Sequence, residues 1–410
     1  MAVSERRTQH KIAGPGGSRL PGATPGKMAG MTSALLDPIF GATAVDAAID
    51  DRAWLVALCE VETALARACV QAGLVDLGTA LEIGAAAQTL AGSDPAVLGA
   101  RAVADGNPVI PLVSALRDAV RNRAGDAAAE AVHYGATSQD VLDTAAMLVA
   151  ARALGVLVGD LGDCADQTAT LARRHRDTPM TGRTLLQHAV PTTFGALATV
   201  WGGGLDRAVT RVSSVRESLP VQLGGAAGTL AAHYPRGLDV QAALADELGL
   251  RAPGGVWHTD RGVIAEIAGV LGACAVAVAK PATDIVLLAQ TEVGEVREAE
   301  PGGSSAMAHK RNPVAAITAR AAAAQAPGLV ATLLANGVHE LQRGAGPWHA
   351  EWPALRDLLR SVGGAASRLR ASLTGLEVDS AAMYRNLGDD AIELGHAGDL
   401  VDRYLAGRGT

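Results

Sequence analysis

Aromatic side chains are nearly missing from this chain: Phe, Tyr and Trp make up 3% of its 410 residues, and only two are Phe. A sheet-based core, which relies on aromatic and β-branched side chains, is therefore not expected. Cysteine is as scarce. Cys59, Cys69, Cys164 and Cys274 form no CxxC pair, and none stands at ligand spacing from a histidine, which argues against a zinc site and a disulfide framework. Each sits in an apolar stretch, so buried free thiols and a reducing compartment are expected. Positive charge is not in excess: the formal net charge is −7. This excludes a surface built to coat nucleic acid, but not a local cationic pocket for an acidic substrate. The first thirty residues carry Arg6, Arg7, Lys11, Arg19 and Lys27 but no apolar run of the secretory kind. The most apolar stretch, Ile267 to Ala279, follows Glu266 and is closed by Lys280 and Pro281, which leaves it short of a membrane span. There is no Walker or dinucleotide glycine fingerprint, no repeat with a period of about 20–50 residues, and no alternating run with a hairpin turn. The expectation is a soluble, cytoplasmic protein with no membrane and no nucleic-acid partner.

What is present is apolar bulk from small residues. The apolar fraction is 49%, supplied mainly by Ala, Leu and Val, and together with abundant Gly it suits close helix–helix packing. Trp54, Leu58, Val61, Leu65 and Cys69 recur at spacings of four and three up to Gly73, which marks an amphipathic helix. Segments 139–158, 163–175, 192–218, 261–296, 313–335 and 354–374 carry similar patterns. Several exceed the usual helix length of about 11–12 residues, and long helices joined by loops imply a bundle. The fold class expected is all-α: an elongated bundle of long central helices with smaller helical ends. Residues 1–30, rich in Gly and Pro without periodicity, read as a disordered extension or a misassigned start, with Met28 or Met31 as the alternative beginning. Residues 31–136 read as an N-terminal helical domain, 137–345 as the central bundle and 346–410 as a short C-terminal helical domain. Pro281, inside the 261–296 pattern, predicts a kink or a break.

Three stretches concentrate chemistry. In Pro301-Gly-Gly-Ser-Ser-Ala-Met-Ala-His-Lys-Arg-Asn-Pro-Val314, two glycines precede two hydroxyls, and Lys310 stands beside Asn312 and Pro313. Asn before Pro is a good N-cap followed by the first helical position, so a helix is expected from Pro313. A helix N-terminus with an adjacent lysine suits a carboxylate; the bland alternative is a flexible loop and an ordinary cap. In Val132-His-Tyr-Gly-Ala-Thr-Ser-Gln-Asp140, Thr137 and Asp140 have capping-box spacing, which alone would explain their polarity. The third stretch is Gly182-Arg-Thr-Leu-Leu-Gln-His-Ala-Val-Pro-Thr-Thr-Phe-Gly195. His175, His233, His339 and His396 read as surface or packing residues, and His309 is ambiguous. His258 and Arg261 stand between a substrate contact and a helix start.

Taken together these stretches resemble the aspartase/fumarase superfamily, from about Leu36 to the end of the chain. The serine loop matches that family's signature except that Ala308 stands where it has proline. Within the superfamily the likeness is nearest to the 3-carboxy-cis,cis-muconate cycloisomerase branch, through Leu36-Asp-Pro-Ile-Phe-Gly41, Gly106-Asn-Pro-Val-Ile-Pro-Leu-Val113, Gln222-Leu-Gly-Gly-Ala-Ala-Gly-Thr229, Trp257-His-Thr259 and Trp348-His-Ala-Glu-Trp352. Fumarases, argininosuccinate lyases and adenylosuccinate lyases carry histidine after Gly-Arg-Thr; here Leu185 occupies that place and cannot transfer a proton. Near Glu351-Trp352-Pro353 only Arg356 is available for a nucleotide phosphate. Two departures run the other way: His188 stands where the branch more often has glutamine, and the portion after Gly375 is shorter than usual.

The resemblance implies Ser304 as the proton-transfer residue, with Ser305 as its neighbouring alternative, and His133 as a polar or proton-handling group. His188 is either a further proton donor or a polar neighbour. Lys310, Asn312, Thr137, Ser138, Gln139, Thr184 and Gln222 are implied as substrate contacts. The implied substrate is a small polycarboxylate, converted through a carbanion with no metal and no organic cofactor. The implied assembly is a homotetramer whose composite sites draw on three subunits. The branch implies lactonisation; the alternative is elimination from a substituted succinate, releasing fumarate.

Overall fold

Thr137 and Asp140 form the expected capping box and open the longest helix, Ser138–Arg174, of 37 residues. In the computed structural model, which describes residues 35–40, 44–307, 309–388 and 392–409, the two segments anticipated at 139–158 and 163–175 are this one helix. Gly159 and Gly162 cost about 1 kcal/mol each relative to alanine. Packing outweighs them, because Phe194–Ser218, Pro347–Leu373 and Asp51–Gln71 all lie against the central helix. A helix covered on so many sides is apolar nearly all round. At about 1.5 Å per residue it spans about 55 Å.

The described residues are otherwise helical in their regular structure, apart from two short antiparallel strand pairs. Gly262–Leu288 runs unbroken through a buried Pro281, so the break that was one of two expectations does not occur. The 313–335 pattern is two helices, Val314–Ala323 and Ala326–Ala335. The 354–374 pattern belongs to a helix that starts earlier, at Pro347, where proline suits the first turn. The disordered extension expected at 1–30 lies outside the described residues.

Strands are few, as expected, but one hairpin that the sequence did not signal is present. Pro179–Thr184 pairs antiparallel with Gln187–Thr193, and Val296–Arg297 pairs with Glu377–Val378. The first hairpin turns on Leu185 and Leu186, at φ 52° and 63°. A two-residue turn with both φ values positive normally carries Asn or Gly, so a Leu-Leu pair gives no hint of it. Both leucines are exposed, Leu185 at 96%.

The length argument against a membrane span is corrected too. Ser138–Arg174, Gly262–Leu288 and, with its two helices taken as one continuous segment, Val314–Ala335 are each long and apolar enough to cross a bilayer by length and composition. In the first, 72% of the apolar window is buried within the chain, against 39% and 28% in the other two. The uncovered apolar surface includes Val276 on Gly262–Leu288 and Leu334 beyond it. The four cysteines are buried free thiols, as expected. Burial pushes Cys59, Cys69 and Cys274 up to about 12, and Cys164 higher still.

Candidate functional site

His133 sits where the chain enters the central helix, in the left-handed region at φ 62°. For a residue other than glycine that conformation is uncommon and must be held by its surroundings. Its Nδ1 lies 2.6 Å from Oε1 of Glu62 on the Asp51–Gln71 helix. Burial works against the charged imidazole, but attraction and hydrogen bonding to Glu62 outweigh it and hold the His133 pKa above its ordinary value. Two residues on, Gly135 takes φ 67°, and a Cβ there would lie 2.5 Å from the buried His233 ring, so that ring fixes the turn. His133, Ser138, Ser114 and Arg117 line one cleft of about 370 Å³. Thr137 is the N-cap directly before Ser138.

The next two residues face inward. Asp140 accepts hydrogen bonds from the Thr137, Gly224 and Gly225 backbone N–H groups and from Nε2 of His258, the last at 2.6 Å. One carboxylate thereby ties the Gly224-Gly225 loop to the start of the central helix. Gln139, expected to contact substrate, is 1% exposed. Its Nε2 donates to the His258 carbonyl and to Asp143, and its Oε1 accepts from Arg343. Gln222 is equally buried; its Oε1 accepts from the Trp257 N–H, and its backbone brackets the Thr144 hydroxyl. Both glutamines are enclosed by protein and hold the walls of the site.

Beneath them lies a buried ionic cluster. The Arg261 guanidinium donates to Asp143 at 2.8 Å and to Glu351 at 2.7 Å, over the face of Trp257. Trp348 Nε1 donates to Asp143, and His339 Nε2 stands 3.1 Å from Glu351. His258 and Arg261, left between two roles by the sequence, are therefore interior scaffold. His339 belongs to the same cluster.

The other two stretches lie together elsewhere. Arg183 on the first hairpin makes a two-pronged ion pair with the buried Glu295, at 2.9 and 2.6 Å, and Asn386 donates to the same carboxylate. Thr184 and His188 are exposed on this hairpin, beside a cleft of about 650 Å³ that Arg183, Leu185 and His188 line with Lys280. Nine residues beyond Glu295 comes Ser304. Its Oγ accepts hydrogen bonds from the backbone N–H groups of Ala306 and Met307, at 3.3 and 3.1 Å. These two dipoles stabilise negative charge on that oxygen and leave its own proton to be donated outward. Gly302 and Asn312 pair backbone to backbone at the base of the loop. A Cβ on Gly302 would meet Val314 at 2.1 Å, so only glycine fits there. Ser305, His309 and Lys310 are exposed on the same loop, and Ala308 lies outside the described residues.

The helix cap expected here is corrected. Asn312 does not cap a helix; its Nδ2 donates to the Gly303 carbonyl and pins the loop. The helix starts at Val314, and its first N–H groups, on Ala315 and Ala316, donate to the buried Glu298 carboxylate. The anion site expected at this helix end is thus already filled from within the chain.

Within one chain these groups form two half-sites. His133, Thr137 and Ser138 stand at the start of the central helix, whereas Thr184 and His188 follow its far end, about 55 Å away along its axis. Gly262–Leu288 starts beside Arg261 and Asp143 and carries the chain back over about 40 Å toward Glu295 and the serine loop. The hairpin and the serine loop therefore share one end of the bundle, with the His133 cleft at the other. Glu62, Arg117, Ser114 and the Arg183–Glu295 pair escaped the reading of the sequence. For Glu62 the available signal was a carboxylate among the buried positions of an amphipathic helix.

Known proteins share this architecture. The lyase family matches residues 32–328. The chain is 45% identical to 3-carboxy-cis,cis-muconate cycloisomerase of Bradyrhizobium diazoefficiens, over 87% of this chain and 79% of that one. It is 46% identical to nitrosuccinate lyase of Streptomyces davaonensis, over 87% of this chain and 77% of the relative. The crystal structure of 3-carboxy-cis,cis-muconate lactonizing enzyme from Pseudomonas putida superimposes with a TM-score of 0.81 at 41% identity, covering 87% of this chain and 79% of that one. By matched family, sequence and fold alike, the chain belongs to the lyase family of the aspartase/fumarase superfamily.

Proposed function

We propose that the protein is a cycloisomerase that lactonises 3-carboxy-cis,cis-muconate, a step of aromatic catabolism, in composite sites built from several copies of the chain in a homotetramer. The observation that carries this reading is the tip of the hairpin. Leu185 is exposed beside the Arg183–Glu295 anchor, at the position where fumarases, argininosuccinate lyases and adenylosuccinate lyases carry a histidine. Lactonisation needs less from that position. The substrate's own carboxylate is the nucleophile and is already tethered to the double bond it attacks, so proximity is intrinsic. What the protein must add is one conformer, stabilisation of the negative charge that develops beside a carboxylate, and a proton.

In this reading the exposed Lys310 and the backbone N–H groups of the serine loop face the substrate carboxylates, and Ser304 delivers the proton. Ser138 and Thr137, with Arg117 beside them, approach from the opposite end of another copy, and Thr184 from a hairpin. Asn312 acts by shaping the loop. Gln139 and Gln222 support the walls. The partly uncovered faces of Gly262–Leu288 and Val314–Ala335 are the surfaces through which copies pack, and the tetramer is cytoplasmic.

A second reading has its own support in the 46% identity to nitrosuccinate lyase: elimination from a substituted succinate, with fumarate as product. Complementation tests the composite site. His133→Ala and Ser304→Ala should each slow loss of the muconate diene absorbance by about 10²-fold or more. Tetramers assembled from the two variants together should recover a measurable fraction of the wild-type rate, because some sites then combine an intact cleft with an intact loop. Mixed tetramers as inactive as their parents would contradict the composite site.

A further inference from the structure

The serine reading leaves a chemical gap: a hydroxyl that gives its proton to carbon becomes an alkoxide, and the two N–H groups at Ser304 stabilise that anion without neutralising it. An acid must restore the proton. Outside the serine loop, one strained and paired group faces a cleft with Ser138.

We propose that Glu62 is a positioning residue that holds the His133 ring through Nδ1, so that His133 presents Nε2 to the composite site and returns a proton to Ser304 of another copy. This rests on the lactonising reading. Glu62 has a fully buried side chain, and its carboxylate, which only accepts, lies 2.6 Å from Nδ1. The hydrogen therefore sits on Nδ1 in the neutral ring, and Nε2 is the nitrogen that exchanges a proton. Nε2 takes no hydrogen bond among the described residues, while His133 lines the cleft beside Ser114, Arg117 and Ser138. Among the described residues Oε2 of Glu62 has no hydrogen-bond partner, and the side chain that pairs with its carboxylate is this ring, on a residue in the left-handed backbone region.

The step balances. A substrate carboxylate oxygen forms the C–O bond, and the displaced π pair moves to the carbon next to a second carboxylate. The Ser304 O–H bond breaks as the new C–H bond forms. The Nε2–H bond of His133 then breaks and the Ser304 O–H bond reforms. Neutral His133 recovers its proton from water. The charges facing the ring are Glu62 from the Asp51–Gln71 helix, Asp140 from the central helix and Arg117 from Val109–Ala124; the first two favour the imidazolium and the third opposes it. Asp118 and Arg121 line the same cleft. With the folded pKa raised, the charged donor is present at lower pH and is lost as pH rises through that value.

Glu62→Gln keeps the shape and removes the charge. The expected result is a kcat lower by roughly 10–100-fold, KM little changed, and a high-pH limb of kcat displaced toward acid. Glu62→Asp should recover part of the rate. Nitrogen NMR of His133 in the assembled wild-type protein should show hydrogen on Nδ1 and a titration midpoint above that of Glu62→Gln. Equal midpoints in wild type and variant, or an unmoved pH limb with undiminished kcat, would overturn the proposal. Because the ring titration needs no turnover, a displaced midpoint in a protein that does not lactonise would sink the lactonising reading and leave the Glu62–His133 coupling standing.

Discussion

Ser304→Ala is expected to lower kcat by about 10²–10⁴-fold, the range for removing a positioned proton-transfer group, while the protein keeps its fold and oligomeric state. The reasoning begins with the loop. Gly302 and Asn312 close its base, Asn312 fastens the Gly303 carbonyl, and the N–H groups of Ala306 and Met307 converge on Oγ. The loop is thus shaped around that oxygen, which bears no structural load toward the core. Alanine removes the hydroxyl and leaves the other loop contacts in place, so KM should change far less than kcat. Steady-state kinetics, with light scattering to verify assembly, checks this. Activity within about tenfold of wild type would move the proton transfer to Ser305 or His188.

Arg261→Ala is expected to lower stability by about 3–5 kcal/mol, through the uncompensated charges it leaves behind. Asp143 and Glu351 are buried, and both direct oxygens at this one guanidinium. Burial already pushes the Glu351 carboxyl above its ordinary range, and Arg261 pulls against that. Without the guanidinium, two carboxylates face each other in the interior and at least one must take up a proton. The loss should therefore be larger at pH 8 than at pH 5 in equilibrium denaturation. A variant as stable as wild type at both pH values would mean that water reaches the cluster. Arg261→Met should also be destabilised, since it fills the volume but leaves the same two acids unpaired.

The local alphabet of this protein showed the helices and concealed the turns. The stripe of Trp54, Leu58, Val61, Leu65 and Cys69 and the pair Thr137/Asp140 act within a turn or two of backbone, so their helix and cap could be read directly. The unity of Ser138–Arg174 could not, because Gly159 and Gly162 argue locally for a gap that only packing closes. The hairpin escaped for the opposite reason: Leu185 and Leu186 carry a backbone that Asn or Gly would have announced. At the site, the serine loop and the start of the central helix were recognisable as chemistry. Their partners were not. Nothing in the sequence near residue 62 points to residue 133, nor near 183 to 295, since these pairs exist only once helices far apart in the chain lie side by side. Asn312 shows how a local rule is overridden: the cap expected of it is supplied by Glu298, fourteen residues earlier.

The most direct measurement is made on the purified, assembled protein supplied with 3-carboxy-cis,cis-muconate, following the diene absorbance and identifying the product by proton NMR. Lactonisation predicts rapid loss of the diene, a lactone as the product, and one solvent-derived hydrogen on the carbon next to the carboxylate. Persistence of the diene, together with release of fumarate when the same preparation is given nitrosuccinate, would contradict it and assign the site to elimination.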